Sequence, residues 1–136
     1  MRAVVDSSVL ISAFLRPGPP HDVVSAANAG RFALCLSSRL LEETLRGLLK
    51  SRNRVRYRYE PGEAEAFVAC VSQLATMISE PAAIEPVCRD PDDDHVLAAA
   101  LAADADCIVT GDADLLSLGS YGRTRILSVR AFLDEV

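Results

Sequence analysis

What this chain lacks narrows the field first. No apolar run approaches the roughly 18 residues of a membrane span, although half of the 136 residues are hydrophobic. The opening MRAVVDSSVLISAF is interrupted by Asp6, Ser7 and Ser8, and no small-residue cleavage site follows it, so it reads as mature structure and not as a secretion signal. Cys35, Cys70, Cys88 and Cys107 form no CxxC or Cys/His pairing, which argues against zinc and for reduced thiols in a cytoplasm. There is no GxGxxG turn, so a dinucleotide fold is excluded. DSS stands after the first apolar segment where a haloacid-type phosphatase needs DxD. A receiver domain needs paired acids there and a lysine near the last strand, and neither is present. Linkers, repeats and low-complexity tracts are missing too. A soluble protein with one globular domain over residues 1–136 is expected, without membrane contact.

What is there is charge in two places. The net charge of −5 disfavours a protein that coats nucleic acid nonspecifically. Yet six of the fourteen basic residues fall between Arg46 and Arg58, in RGLLKSRNRVRYR. At the other extreme, CRDPDDDHVLAAA places Asp90, Asp92, Asp93 and Asp94 against an alanine-rich apolar segment. Helix capping and a favourable macrodipole explain acids at such a place without any function. Their neighbours decide whether that explanation suffices.

Hydrophobic periodicity supplies the frame. RAVVD (2–6), ALCL (33–36), CIVT (107–110) and RILSV (125–129) are short, β-branched and apolar, as buried strands are. Helices are expected over 8–15, over about 23–29 with Asp22 as cap, and from Ser37 or Ser38 through the leucines at 40, 41, 45, 48 and 49. Further ones are expected over 63–78, 93–104, the end of GDADLLSL and the terminal RAFLDEV, with Pro81 and Pro86 in an irregular connector. Strands alternating with helices imply an α/β protein, a three-layer α/β/α sandwich with a mainly parallel sheet.

In such a sheet ligands bind beyond the carboxyl ends of the strands. Asp6 ends the first expected strand and Asp112 follows another, while DPDDD opens a helix that can reach the same edge. Converging carboxylates repel by about 1 kcal/mol per pair at 4 Å in water, and by about 4 at an effective dielectric of 20. With no lysine or arginine at the strand ends, a divalent cation is the expected counter-charge. Oxygen-only ligands select Mg2+ or Mn2+ over zinc.

Three blocks, VVDSSVLISAF, SSRLLEETLRGLL and RDPDDDHVLAAALAADADCIVTGDADLL, together resemble the PIN-domain family of ribonucleases, especially the toxins of toxin-antitoxin pairs. The resemblance implies a metal-dependent endoribonuclease that hydrolyses phosphodiesters of single-stranded RNA. It further implies four acids around one or two Mg2+ or Mn2+ ions: Asp6, Glu43, Asp93 and Asp112, with Asp94 as a neighbouring ligand beside Asp6, Asp93 and Asp112. Spacing leaves Asp93 and Asp94 both open as the principal ligand. The helical wheel puts Glu42 nearer the leucine stripe than Glu43, the reverse of the motif. Ser8 stands where the family's opening usually has asparagine, and Ser7 where threonine is common.

The resemblance also implies a cytoplasmic protein, a cognate antitoxin as partner and a homodimer. Arg52, Arg54, Arg56 and Arg58, interleaved with Tyr57 and Tyr59, suit RNA phosphates and stacked bases, or an acidic tail of the antitoxin. His95 is expected to be an exposed helix-turn residue without a part in the chemistry. The competing reading is a catalytically inactive PIN-like module that binds a partner protein or RNA.

Overall fold

The computed structural model describes residues 1–79 and 81–136. Among the described residues six strands form one sheet: β1 (Arg2–Val5), β2 (Ala33–Leu36), β3 (Thr76–Met77), β4 (Cys107–Val109), β5 (Ser120–Tyr121) and β6 (Thr124–Leu127), in the order β3-β2-β1-β4-β6-β5. All neighbours pair in parallel except β5 and β6, a tight hairpin turned at Gly122, whose φ of +58° a glycine adopts without penalty. The expected α/β architecture with a mainly parallel sheet flanked by helices is therefore what forms.

Among the described residues eight helices connect and follow the strands: α1 (Ser7–Leu15), α2 (Pro19–Asn28), α3 (Ser38–Leu48), α4 (Ser51–Tyr57), α5 (Pro61–Leu74), α6 (Asp94–Ala103), α7 (Ala113–Leu118) and α8 (Val129–Glu135). A 3-10 turn, Pro91–Asp93, precedes α6. The small side chains of α6 let it lie close against the sheet, where Val96, Leu97, Ala99 and Ala100 are buried. Gly47 does the same between helices, since a Cβ there would stand 2.5 Å from Ile11 Cδ1 of α1. Close α1–α3 packing is what brings Ser7 within reach of Glu43.

Several local expectations are corrected. The helix expected to start near 23 begins at Pro19, with the prolines at its first two positions and Gly18, at φ +137°, as its cap; Asp22 lies in the first turn instead. The helix expected to run to 78 stops at Leu74. The chain then extends as β3, and Ile78 N donates to Leu36 O at 2.9 Å, because β2 offers an open edge that helical periodicity cannot reveal. The last strand ends at Leu127 and Val129 already belongs to α8, which Ser128 caps. Helix α4 and strand β5 were not foreseen. Ser37, and not Ser38, caps α3 by accepting from Leu40 N at 3.2 Å. No helix among the described residues is long and apolar enough to cross a membrane.

Candidate active site

From β1 the chain adds β2 and β3 on one side of the sheet and then β4, β6 and β5 on the other, so the order of the parallel strands reverses between β1 and β4. That crevice is where α/β sheets place ligands. Asp6 sits at its mouth, 8% exposed. It occupies the cap position of α1, but its carboxylate caps nothing. Instead Asp6 Oδ2 accepts from Thr110 Oγ1 at 2.7 Å and from Ser8 Oγ at 3.5 Å. Thr110, fully buried just beyond β4, also accepts from the backbone N–H of Asp112 at 3.0 Å. One hydroxyl thus ties the ends of two neighbouring strands and the two acids that follow them. Sequence reasoning missed Thr110, though its place between strand and GD in IVTGD was the available signal.

Asp112 caps α7 through Oδ2, which accepts from Leu115 N at 2.9 Å. Glu43 reaches the same rim from α3: its Oε1 accepts from Ser7 Oγ at 3.3 Å and lies 3.0 Å from His95 Nε2. Glu42 is exposed. The leucine stripe faces α1 and α5, and Glu43 at its edge meets Ser7 of α1 and His95 of α6. His95 is corrected likewise: its side chain is 12% exposed and holds Glu43, where an exposed residue was expected.

Asp93 and Asp94 are neighbours with different surroundings. Burial pushes the Asp93 carboxyl up to about 6, and the charges of Asp112, Asp90, Asp6 and Glu43 push the same way. Asp94 turns to the connector before α6, where Oδ1 accepts from Cys88 N at 2.7 Å and Val87 N at 3.2 Å, bonds that hold it below the usual carboxylate range. The Cys88 thiol is pushed up to about 12 by burial and then by Asp94, which leaves it an inert thiol.

In each of three acids one oxygen is held and the other is open. Among the described residues, Asp6 Oδ1, Glu43 Oε2 and Asp112 Oδ1 receive no hydrogen bond from the protein. Nor does any lysine or arginine stand within 4.0 Å of Asp6, Glu43, Asp93 or Asp112; the nearest ion pairs flank the rim, Arg39 with Asp92 and Arg89 with Asp114, both at 3.9 Å. The donor set, oxygen-only and under-compensated, fits a hard divalent cation in type and charge. Among the described residues no three His, Cys, Asp or Glu side chains are gathered tightly enough to enclose an ion by themselves.

The arginines lie elsewhere. Arg52, Arg54 and Arg56 are on α4, of which no residue is buried, and Arg58 ends it with a left-handed φ of 55°. Arg56 stands 5.4 Å from the centre of the Tyr57 ring. Tyr59 is no stacking platform: it is buried, packs edge-on against Phe14 at 4.8 Å and donates to Leu48 O at 2.6 Å.

The fold and the rim together define a class: an α/β protein with a mainly parallel sheet and carboxylates gathered beyond the ends of β1 and β4. Comparison with known families is specific: the PIN domain matches residues 2–114, and the chain belongs to the PIN-domain family. PIN domains are generally nucleases, hydrolases that typically use divalent metal ions. No curated protein matches the chain.

Proposed function

We propose that this chain, as one domain over residues 1–136, is an endoribonuclease that hydrolyses single-stranded RNA with Mg2+ or Mn2+. We further propose that it is the cytoplasmic, homodimeric toxin of a toxin-antitoxin pair. The observation that carries the enzyme reading is the shared Thr110 hydroxyl, which draws Asp6 and Asp112 to one crevice, with Asp93 raised to about 6 partly by Asp112, Asp6 and Glu43. The toxin assignment rests on the three sequence blocks, and the partner's acidic tail would meet the arginines of α4.

Asp6, Glu43, Asp93 and Asp112 would hold the cation. When bound, it supplies positive charge to the phosphodiester oxygens and activates water for in-line attack. The protein's part is positioning. Thr110 fixes one oxygen of Asp6, Leu115 N one of Asp112, and Ser7 with His95 one of Glu43, so the open oxygens are presented on rigid elements. Asp94 serves the connector and is left out of this set. Arg52, Arg54, Arg56 and Arg58 add sequence-independent attraction for the RNA backbone.

The test is incubation of the protein and its Asp6→Asn variant with unstructured and structured RNA, in Mn2+ and in EDTA. Cleavage of the unstructured RNA by the unmodified protein alone, only with Mn2+, and with 5′-phosphate products, is expected. A 2′,3′-cyclic phosphate product rejects the hydrolytic scheme. The spread of the carboxylates favours a second reading, an inactive binding module, and that reading requires an unchanged melting temperature in Mn2+.

A further inference from the structure

We propose that the cleft beside the acidic rim, between the N-terminal ends of α3 and α6 and the connector at 81–84, is a nucleobase subsite for the residue next to the scissile phosphate. The inference rests on the endoribonuclease reading and extends it to how the strand is gripped. The cleft encloses about 290 Å3, close to the roughly 300 Å3 at which small-ligand sites begin. That suits one ring system and little more.

Three features fix the occupant's chemistry. First, His95 is a shared wall: it lines the cleft while its Nε2 lies 3.0 Å from Glu43, so a group in the cleft is one side chain away from the acids. Second, the remaining walls are mixed. Ile84, Pro91 and Ala98 offer apolar faces. Ser37 Oγ accepts from Leu40 N, and among the described residues its own O–H donates to no protein acceptor, so it can serve a ligand. A planar ring with carbonyl or ring-nitrogen acceptors satisfies both kinds of wall. Third, Arg39 stands at the edge, joined to Asp92 only at 3.9 Å across exposed side chains. Such a pair contributes little, so the guanidinium is free to take a backbone phosphate bidentately. A part-apolar slot, the Ser37 hydroxyl and the Asp94 carboxylate in its wall to meet a base's acceptors and amino groups, and a cation at its mouth together match a nucleotide, with its phosphate lying toward Arg39 and its base inside.

The test is binding of AMP, CMP, GMP and UMP, with ribose 5-phosphate as the base-free control, followed by NMR without metal. At least one nucleotide is expected to bind about tenfold more tightly than the control, the scale of one well-placed base, with its base protons nearest the protein. Ala98→Leu fills the slot and Ala83→Glu, at an exposed wall position, repels the phosphate. Each should weaken that nucleotide about tenfold, and Ala83→Glu should melt as the unmodified protein does. Equal binding of ribose 5-phosphate, no binding of any nucleotide, or unaltered binding by Ala83→Glu overturns the proposal, as does an acidic peptide that occupies the cleft in their place. Because the readout needs neither metal nor cleavage, nucleotide binding without RNA cleavage would sink the nuclease reading alone, and RNA cleavage without nucleotide binding would sink the subsite alone.

Discussion

The acidic rim and the basic helix α4 carry opposite charge and are built in opposite ways. At the rim two of the acids are held by partners far away in the chain, Asp6 by Thr110 and Glu43 by Ser7 and by His95, while Asp112 is fixed by the N-terminus of α7. Helix α4 is seven residues long, buries none of them, and leaves Val55 77% exposed. The rim is a geometry, where an error of an ångström matters; α4 is a field, where only the sum of charges does. Chemistry that needs defined oxygens belongs on the first, and sequence-independent attraction on the second.

The largest expected break in this contrast is at the rim. Asp6→Asn removes a charge from the crevice and keeps the shape, so RNA cleavage in Mn2+ should fall on the order of a thousandfold with little change in RNA affinity. Retained activity would detach Asp6 from the chemistry.

Asp93→Asn should act on stability, and in the opposite sense. The folded-state pKa of about 6 lies above the ordinary 3.8, so the folded chain holds this proton more tightly than the unfolded one. Its contribution to stability is complete below 3.8 and is lost as pH rises through about 6. At pH 7 without metal the variant should therefore be the more stable in chemical denaturation, by about 1 kcal/mol once solvent screening at this part-exposed position is allowed for. In Mn2+ the order should reverse.

Smaller effects separate support from attraction. His95→Ala leaves all four acids but removes one of the two groups that hold Glu43, so Mn2+ affinity should drop about 10–100-fold, the usual scale for a residue behind a ligand. Replacing Arg52, Arg54 and Arg56 together by glutamine should weaken RNA binding about tenfold and lower its salt slope by about 2, with the turnover rate of bound RNA unchanged. A fall in that rate would place α4 inside the reaction and dissolve the distinction between the two regions.

The same contrast governs what the sequence makes legible. Elements fixed by their own composition were readable: the β-branched run of β1, the alanines of α6, and a serine cap for α3 at one of two adjacent positions. Elements fixed by what they meet were not. Strand β3 exists because β2 has a free edge, and α4 carries one exposed valine among polar residues, so neither writes a hydrophobic period. The acids stood out by type and spacing, while the groups that aim them did not. Thr110 looks like any strand-end threonine, and spacing alone does not reveal how the surroundings of Glu43 differ from those of Glu42, or those of Asp93 from those of Asp94. His95 was misjudged for the same reason, since its partner lies across the rim.

The central claim is that the open carboxylate oxygens at the β1–β4 crevice close on one hard divalent cation. Calorimetric titration of the protein with Mn2+, beside Asp6→Asn and Asp93→Asn, tests it directly. The account predicts saturable binding to the unmodified chain that both variants lose. Absence of binding to the unmodified chain, or equal binding to all three, would contradict it.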